Sequence, residues 1–285
     1  MPPAASRRVL FLLTSPALKG QIVAMNLLAE SLDRHFDRVK ESIREQPQTT
    51  GHRFALVSLM TLRGDYDHAL QQAQTLALLD REFALTAQML RILIRAERIR
   101  ERTFAGTSRP LILGQPEPWV GIYLQALAES PARAAELRHG AVDELPILSG
   151  YADQKAFAWI CDGDSRLGPC FEIILDGEYY WLPANQVKRL DFTSPTMALD
   201  LVWAPIRVML ANGGSHAAYM PVRYPTNNAV TDDDAILLGH RTEWDEVAAD
   251  TWHGRGRRIW IADGDDIPMF STQTLAFGEQ PDRSQ

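Results

Sequence analysis

One stretch is the clearest guide to the fold of the back half of this chain: Phe171-Glu172-Ile173-Ile174-Leu175-Asp176-Gly177-Glu178-Tyr179-Tyr180-Trp181-Leu182. Two runs of β-forming residues flank Asp176-Gly177, which suits a type I′ turn because both central residues of that turn need positive φ. The same device recurs at Asn212-Gly213-Gly214 and Asp263-Gly264. Further strands are predicted at Phe157–Cys161 and Val187–Phe192. The pattern predicts a compact antiparallel sheet or small barrel, interrupted by a short helix that Thr231 to Ala235 cap and that ends near His240.

The front half has a different periodicity, with apolar residues at helical spacing. The first groups are Ile22, Met25, Leu28 and Ala29, and then Phe36, Val39 and Ile43. Leu32-Asp33 and Tyr66-Asp67 open helices about 34 residues apart, the tetratricopeptide period. Glu30-Ser31 stands where the second repeat has Gly64-Asp65. The spacing therefore predicts helical repeats, although an unrelated helical bundle would give a similar pattern.

A long helix is predicted from Arg81 to Phe104, because apolar residues recur there at helical spacing and Gly106 follows. Its expected apolar stripe is Leu85, Met89, Ile92, Ala96 and Ile99. Four arginines share another face: Arg91, Arg95, Arg98 and Arg102. We interpret this basic ridge as a candidate partner-binding surface. The alternative is a solvated face that Glu97 and Glu101 partly neutralise.

A domain boundary is expected between Leu145 and Tyr151, where Pro146 and Gly150 interrupt the pattern. Further helices are predicted at 119–128 and 132–143, after a proline-rich connector at 114–118. The sequence thus predicts an α+β protein with a helical tetratricopeptide-like domain at 1–148 and a β-rich domain at 149–285.

Composition limits the possible partners of the 285-residue chain. Its net charge of −7 argues against general nucleic-acid binding, which requires an excess of Lys and Arg. Two cysteines, Cys161 and Cys170, are too few for a disulfide framework and fit a reducing compartment. The apolar run at 9–13 is too short for a signal peptide, and no stretch reaches membrane-spanning length. We expect a cytoplasmic protein that binds neither membrane nor nucleic acid.

The segment Asp162-Gly163-Asp164-Ser165-Arg166-Leu167-Gly168-Pro169 is the candidate for a catalytic or metal-binding loop. Its alternating aspartates are similar to a calcium loop, but the later acidic ligands are missing. We expect a structural turn in which Asp162 or Asp164 accepts hydrogen bonds from backbone N–H groups and Arg166 pairs with one of the two aspartates. The alternative is an enzyme with its site around Asp162, Asp164 and Arg166. Because no nucleophile, base and orienting group assemble, we expect a non-enzymatic protein without cofactor or metal.

Two groups of sequence blocks stand out, one in each half of the chain. The front half contains Gly64-Asp65-Tyr66 with Ala69, Arg95-Ala96-Glu97 with Arg100, Phe104-Ala105-Gly106, and Gly114-Gln115-Pro116-Glu117-Pro118-Trp119. The back half contains Phe157-Ala158-Trp159-Ile160, the loop from Asp162 to Pro169, Gly177-Glu178-Tyr179-Tyr180-Trp181-Leu182-Pro183, Asp200-Leu201-Val202-Trp203, Ala211-Asn212-Gly213-Gly214, Arg223-Tyr224-Pro225 and Arg241-Thr242-Glu243-Trp244. In this order the blocks resemble the ImpE family, also called SciE or TagJ.

The resemblance implies an accessory protein of bacterial type VI secretion, with a tetratricopeptide-like helical domain and an α+β domain. It also implies that the chain binds the N-terminal helix of the sheath subunit TssB and is linked to the disassembly ATPase ClpV. It carries over no binding residues, because no motif of the family defines them. A regulatory subunit acting on ClpV is a further possibility.

Overall fold

A computed structural model describes residue 27 and residues 30–225, 233–263 and 265–278. The helices are α1 (Leu32–Glu45), α2 (Thr50–Leu62), α3 (Tyr66–Leu79), α4 (Ala84–Phe104), α5 (Pro118–Ala126), α6 (Pro131–Gly140) and α7 (Asp234–Leu237). The paired helices α1–α2 and α3–α4 begin at Leu32 and Tyr66, which confirms the predicted repeat of helical hairpins. The residues that carry the first predicted helical spacing, Ile22, Met25, Leu28 and Ala29, lie outside the described residues.

Local capping explains where several helices begin. The Ser31 hydroxyl accepts a hydrogen bond from the backbone N–H of Arg34 and so caps α1. The carboxylate of Asp233 does the same for Ile236 and caps α7, as the acidic run predicted, although Thr231 and Asp232 lie outside the described residues. Pro118 and Pro131 occupy first-turn positions of α5 and α6, where a missing N–H costs nothing.

The predicted apolar stripe of α4 is partly wrong. Met89 and Ala96 are buried, but the side chains of Leu85 and Ile92 are exposed. The buried face is centred instead on Leu90, Leu93 and Glu97, and it therefore includes polar residues as well as apolar ones. Hydrophobicity alone misplaced this face because it assigns charged residues to solvent. A single turn of 3₁₀ helix at Arg81–Phe83 precedes α4.

The strands are β1 (Leu111–Ile112), β2 (Gly150–Ala152), β3 (Lys155–Phe157), β4 (Ile160–Asp162), β5 (Cys170–Leu175), β6 (Glu178–Pro183), β7 (Val187–Phe192), β8 (Trp203–Leu210), β9 (Ser215–Pro221), β10 (Thr242–Ala248), β11 (Thr251–Gly256), β12 (Ile259–Ala262), β13 (Asp265–Pro268) and β14 (Thr274–Phe277). Nine strands form one sheet in the order β1-β6-β5-β9-β8-β7-β14-β2-β3. Its neighbours pair antiparallel except β1, which pairs parallel with β6. The remaining strands form the ribbon β10-β11 and the sheet β13-β12-β4.

The three predicted hairpins are confirmed as the antiparallel pairs β5–β6, β8–β9 and β12–β13, although Gly264 of the third turn lies outside the described residues. In the first turn Asp176 and Gly177 both have positive φ, 51° and 88°. The single strand predicted at Phe157–Cys161 is wrong. The chain leaves the large sheet after Phe157, where the N–H of Ala158 donates to the Asp263 carboxylate at 2.7 Å, and joins the small sheet at Ile160.

The central strand β5 is buried along its whole length because the large sheet is covered on both faces. Cys170 and Ile174 pack into a core with the helices. Phe171, Ile173 and Leu175, on the opposite face, pack into a second core with the small sheet. The molecule is therefore built in three layers: helices, large sheet and small sheet. Among the described helices, none is long and apolar enough to cross a bilayer.

Candidate functional site

A buried ionic network lies where α4 meets the large sheet. Glu172 of β5 is fully buried, and its carboxylate accepts from Arg100 Nε at 2.6 Å and from Arg100 Nη2 at 3.1 Å. Arg258, which precedes β12, forms a second ion pair with Glu172 and another with Asp162. The network thus connects a helix, the centre of the large sheet and the small sheet.

Further hydrogen bonds complete the network around Glu172. The Tyr179 hydroxyl donates to Glu172 and accepts from Trp181 Nε1 at 2.8 Å. Glu97 accepts from Arg100 Nη1 at 2.7 Å and from Trp203 Nε1 at 2.8 Å. Burial alone would raise the pKa of Glu172, but Arg100 and Arg258 lower that pKa to about 2. The carboxylate is therefore ionised at neutral pH and engaged by its neighbours.

The loop from Asp162 to Gly168 has the structural role expected from the sequence. Asp162 Oδ1 accepts from the N–H of Asp164 at 2.9 Å, and Asp164 Oδ1 accepts from the N–H of Arg166 at 2.9 Å. The Arg166 guanidinium pairs with both oxygens of Asp164, at 2.8 and 2.6 Å. Burial opposes the ionisation of Asp164, but Arg166 outweighs it and holds the pKa of that carboxyl below its usual range. The prediction of a turn closed by an Asp–Arg pair is confirmed.

The same geometry bears on the alternative of an active site at this loop. Asp162, Asp164 and Arg166 are all buried and bonded to one another, to Arg258 or to backbone N–H groups. Within the ranges that the structure describes, no three His, Cys, Asp or Glu side chains could jointly hold a metal ion. A cavity of about 90 Å³ beside Tyr66, Glu101 and Arg223 is far smaller than the ~300 Å³ of a typical small-molecule pocket.

The four arginines of the predicted basic ridge are exposed along one face of α4. Two of them are bound within the chain: Arg98 pairs with Asp67 of α3, and Arg95 Nη2 lies 3.3 Å from the Glu178 carboxylate. Arg91 and Arg102 form no ion pair with any residue that the structure describes. Glu97, expected to neutralise the ridge, lies instead on the buried face with Arg100.

A shallow groove of about 530 Å³ runs beside Arg91, between α3 and α4. Its lining residues are Gln74, Ala77, Leu78, Ala84, Ala87, Gln88 and Arg91. The Leu78 side chain is 87% exposed, and Leu85 and Ile92 on α4 are 49% and 38% exposed. The ridge predicted from sequence therefore borders a groove that contains the exposed Leu78, a feature that the spacing of apolar residues alone did not reveal.

These features define a class of protein: an α+β chain in which tetratricopeptide-like helical hairpins pack on a β domain through a buried ionic network. A sequence model described as "ImpE protein" matches residues 154–276. The chain is also 36% identical over 267 residues to the type VI secretion system accessory component TagJ of Pseudomonas aeruginosa. The aligned region covers 91% of this chain and 93% of that protein. The chain therefore belongs to the ImpE/TagJ family.

A solved structure shares the fold. The crystal structure of protein VPA1032 from Vibrio parahaemolyticus has a TM-score of 0.80 and 24% sequence identity, over 90% of this chain and 97% of that one. The helical hairpins and the sheets are thus combined in the same way in a second protein.

Sequence reasoning missed the centre of the buried network: Arg100, Glu172 and Arg258. A signal was present for Glu172, since a charged residue inside an otherwise apolar strand requires a buried partner. No local pattern identified that partner, because Arg100 and Arg258 lie 72 and 86 positions away in the sequence.

Proposed function

We propose that this chain is a non-enzymatic, cytoplasmic accessory component of a type VI secretion system that holds a partner protein on the exposed face of α3 and α4. The observation that carries the proposal is the groove beside Arg91, where Leu78 lies almost wholly in solvent. Exposed apolar surface of this kind is typical of an interaction site when cations border it.

The partner that fits this face is the N-terminal helix of the sheath subunit TssB. An amphipathic helix can place its apolar side on Leu78 and the neighbouring alanines, as helix-in-groove complexes do. Acidic side chains on its flank would meet Arg91 and, further along the ridge, Arg102. Arg95 and Arg98 contribute less, since each already has a carboxylate within the chain.

Fluorescence anisotropy of a labelled peptide of the TssB N-terminal helix, titrated with the full chain, tests this proposal. Replacing Leu78→Asp or Arg91→Glu should weaken binding by ~10-fold or more, because one change puts a charge in the groove and the other reverses the rim charge. Arg34→Glu, on an exposed position of α1, is the matched charge control and should bind like wild type. Unchanged affinity of both groove variants would contradict the proposal.

We further propose a link between this chain and the ATPase ClpV, which the family resemblance supports. The hydrolysis rate of purified ClpV, measured with and without the full chain and with TssB present, tests that link. A regulatory role requires a change in rate that the Leu78→Asp variant does not reproduce. An identical rate with and without the full chain would exclude it.

A further inference from the structure

Arg138 of α6 is a buried cation without a carboxylate. Its side chain is 5% exposed, and it forms no hydrogen bond or ion pair with any described residue. The other deeply buried arginines, Arg100, Arg166 and Arg258, each pair with at least one Asp or Glu. Because an uncompensated buried charge is costly, an arginine of this kind indicates that an anion from outside completes the site.

The contacts of Arg138 place it beside the loop from Asp162 to Gly168. Its guanidinium carbon lies 5.9 Å from the centre of the Tyr123 ring. That ring in turn packs against Gly168, where an added Cβ would come within 2.8 Å of it. Asp164 and Arg166 are close enough to affect the pKa of Arg138, which burial lowers.

The nearby carboxylate of Asp164 acts on Arg138 only from a distance, because its hydrogen-bonding capacity is used elsewhere. Both oxygens of Asp164 accept from the Arg166 side chain, and Oδ2 also accepts from the N–H of Gly254 at 2.9 Å. Asp245, opposite His253 in the pairing of β10 with β11, also acts on this corner, but its carboxylate pairs with Arg255.

His253 precedes Gly254, whose N–H donates to Asp164, and so brings a second donor into this part of the molecule. Its side chain is half-buried on β11. Burial, together with Arg166 and Arg138, lowers the pKa of His253 to about 4, so the ring is neutral at pH 7 and still carries one N–H.

The corner is rigid and reaches the surface. Ser165 and Trp252 exchange two hydrogen bonds of 2.9 Å, from the N–H of Ser165 to the Trp252 carbonyl and from the N–H of Trp252 to Ser165 Oγ. These bonds fix the loop to strand β11. Trp252 is 40% exposed, so this part of β11 reaches the surface.

We propose that Arg138 and His253, held beside the loop from Asp162 to Gly168, form a binding site for an oxyanion: the carboxylate or phosphate group of a ligand. A guanidinium presents paired N–H donors that match both groups, and the neutral imidazole adds one more. The site lies on α6 and β11 rather than on the α3–α4 groove, so it does not depend on the function proposed above.

The test is the thermal unfolding midpoint of the full chain at pH 7 in sodium phosphate, sodium acetate and sodium chloride at matched ionic strength. In wild type a bound anion should raise the midpoint by about 2 °C or more over chloride. Arg138→Met keeps an apolar stem against Tyr123 and should weaken the anion response by ~10-fold or more. Arg133→Met removes an exposed arginine of the same helix and should leave the response unchanged.

A response to phosphate alone assigns the site to phosphate groups, and a response to both anions extends it to carboxylates. Equal responses of wild type and Arg138→Met, or no wild-type response beyond chloride, would overturn the proposal. If Arg138→Met fails to fold, NMR titration of His253 in wild type decides the matter. A bound anion must shift the imidazole resonances of His253 at pH 7, and unchanged resonances at high phosphate and high acetate contradict the site.

Discussion

Glu172 accepts from three side chains of different elements, Arg100 of α4, Tyr179 of β6 and Arg258 before β12, in the dry interior of the molecule. Replacing Glu172→Gln removes the anion that two buried arginines share. We expect a loss of about 3–5 kcal/mol in the free energy of unfolding, because each arginine then keeps a buried charge with less compensation. Urea denaturation followed by far-UV circular dichroism measures this loss.

Glu178→Gln is the matched control for that substitution. Glu178 also pairs with an arginine of α4, Arg95, but at the surface. An exposed pair contributes little, so the control should change the free energy of unfolding by no more than about 0.5 kcal/mol. Similar losses in the two variants would mean that the buried network does not stabilise the fold.

The stabilisation by Glu172 should also depend on pH. Its pKa is lowered from 4.5 to about 2 in the folded chain, so its contribution is complete above pH 4.5 and is lost as pH falls toward 2. Asp162 has the opposite pH dependence. Burial raises its pKa from 3.8 to about 6, so ionising it lowers the free energy of unfolding as pH rises through that range.

Comparing wild type with Glu172→Gln reports the first effect below pH 4.5, since at higher pH Glu172 also acts on the titration of Asp162. The difference between their free energies of unfolding should shrink between pH 4.5 and the acid limit of folding. Urea titrations at pH 7, 4 and 3 measure it. A difference that does not change with pH would show that Glu172 is not held ionised by its partners.

Elements defined by local chemistry were predictable from the sequence, and elements defined by distant contacts were not. The turn at Asp176-Gly177 was predictable because type I′ geometry selects those residues within four positions. The buried face of α4 was not, since it contains Glu97 and Arg100, whose partners lie in the sheet. The ribbon β10–β11 was missed as well: its turn uses Asp250 at a φ of 52° and has no glycine to mark it.

Two glycines with positive φ differ in what an added Cβ would cost: at one the cost is backbone strain alone, and at the other a steric clash is added. Gly213 has a φ of 89°, and an added Cβ would meet nothing within 4 Å. Gly256 has a φ of 95°, but a Cβ there would lie 2.0 Å from the carbonyl oxygen of Arg241. Gly213→Ala should therefore cost only about 1–2 kcal/mol from the left-handed backbone conformation.

Gly256→Ala should cost clearly more, because the pairing of β10 with β11 must open to admit the methyl group. Thermal denaturation of both variants, with wild type alongside, gives the comparison. Equal costs would indicate that β10 and β11 are not held at this register at Thr242 and Gly256.

For the whole molecule, the contrast between a helical front and a β-rich back was predictable from periodicity, but the shared core was not. Trp181 and Trp203 of the large sheet belong to the same apolar cluster as Leu90 and Leu93 of α4. The division into domains at 1–148 and 149–285 stays a proposal. Because one core joins the two parts, we predict a single unfolding transition with coincident far-UV dichroism and tryptophan fluorescence. Two separated transitions would instead support independent domains.

Hydrogen exchange tests the proposal that the face of α3 and α4 holds the N-terminal helix of TssB. Exchange of the full chain would be compared with and without saturating TssB peptide. We predict slower exchange in α3 and α4 around Leu78 and Arg91, and no change there for the Leu78→Asp variant. Protection confined to residues 150–278, with α3 and α4 unaffected, would contradict it.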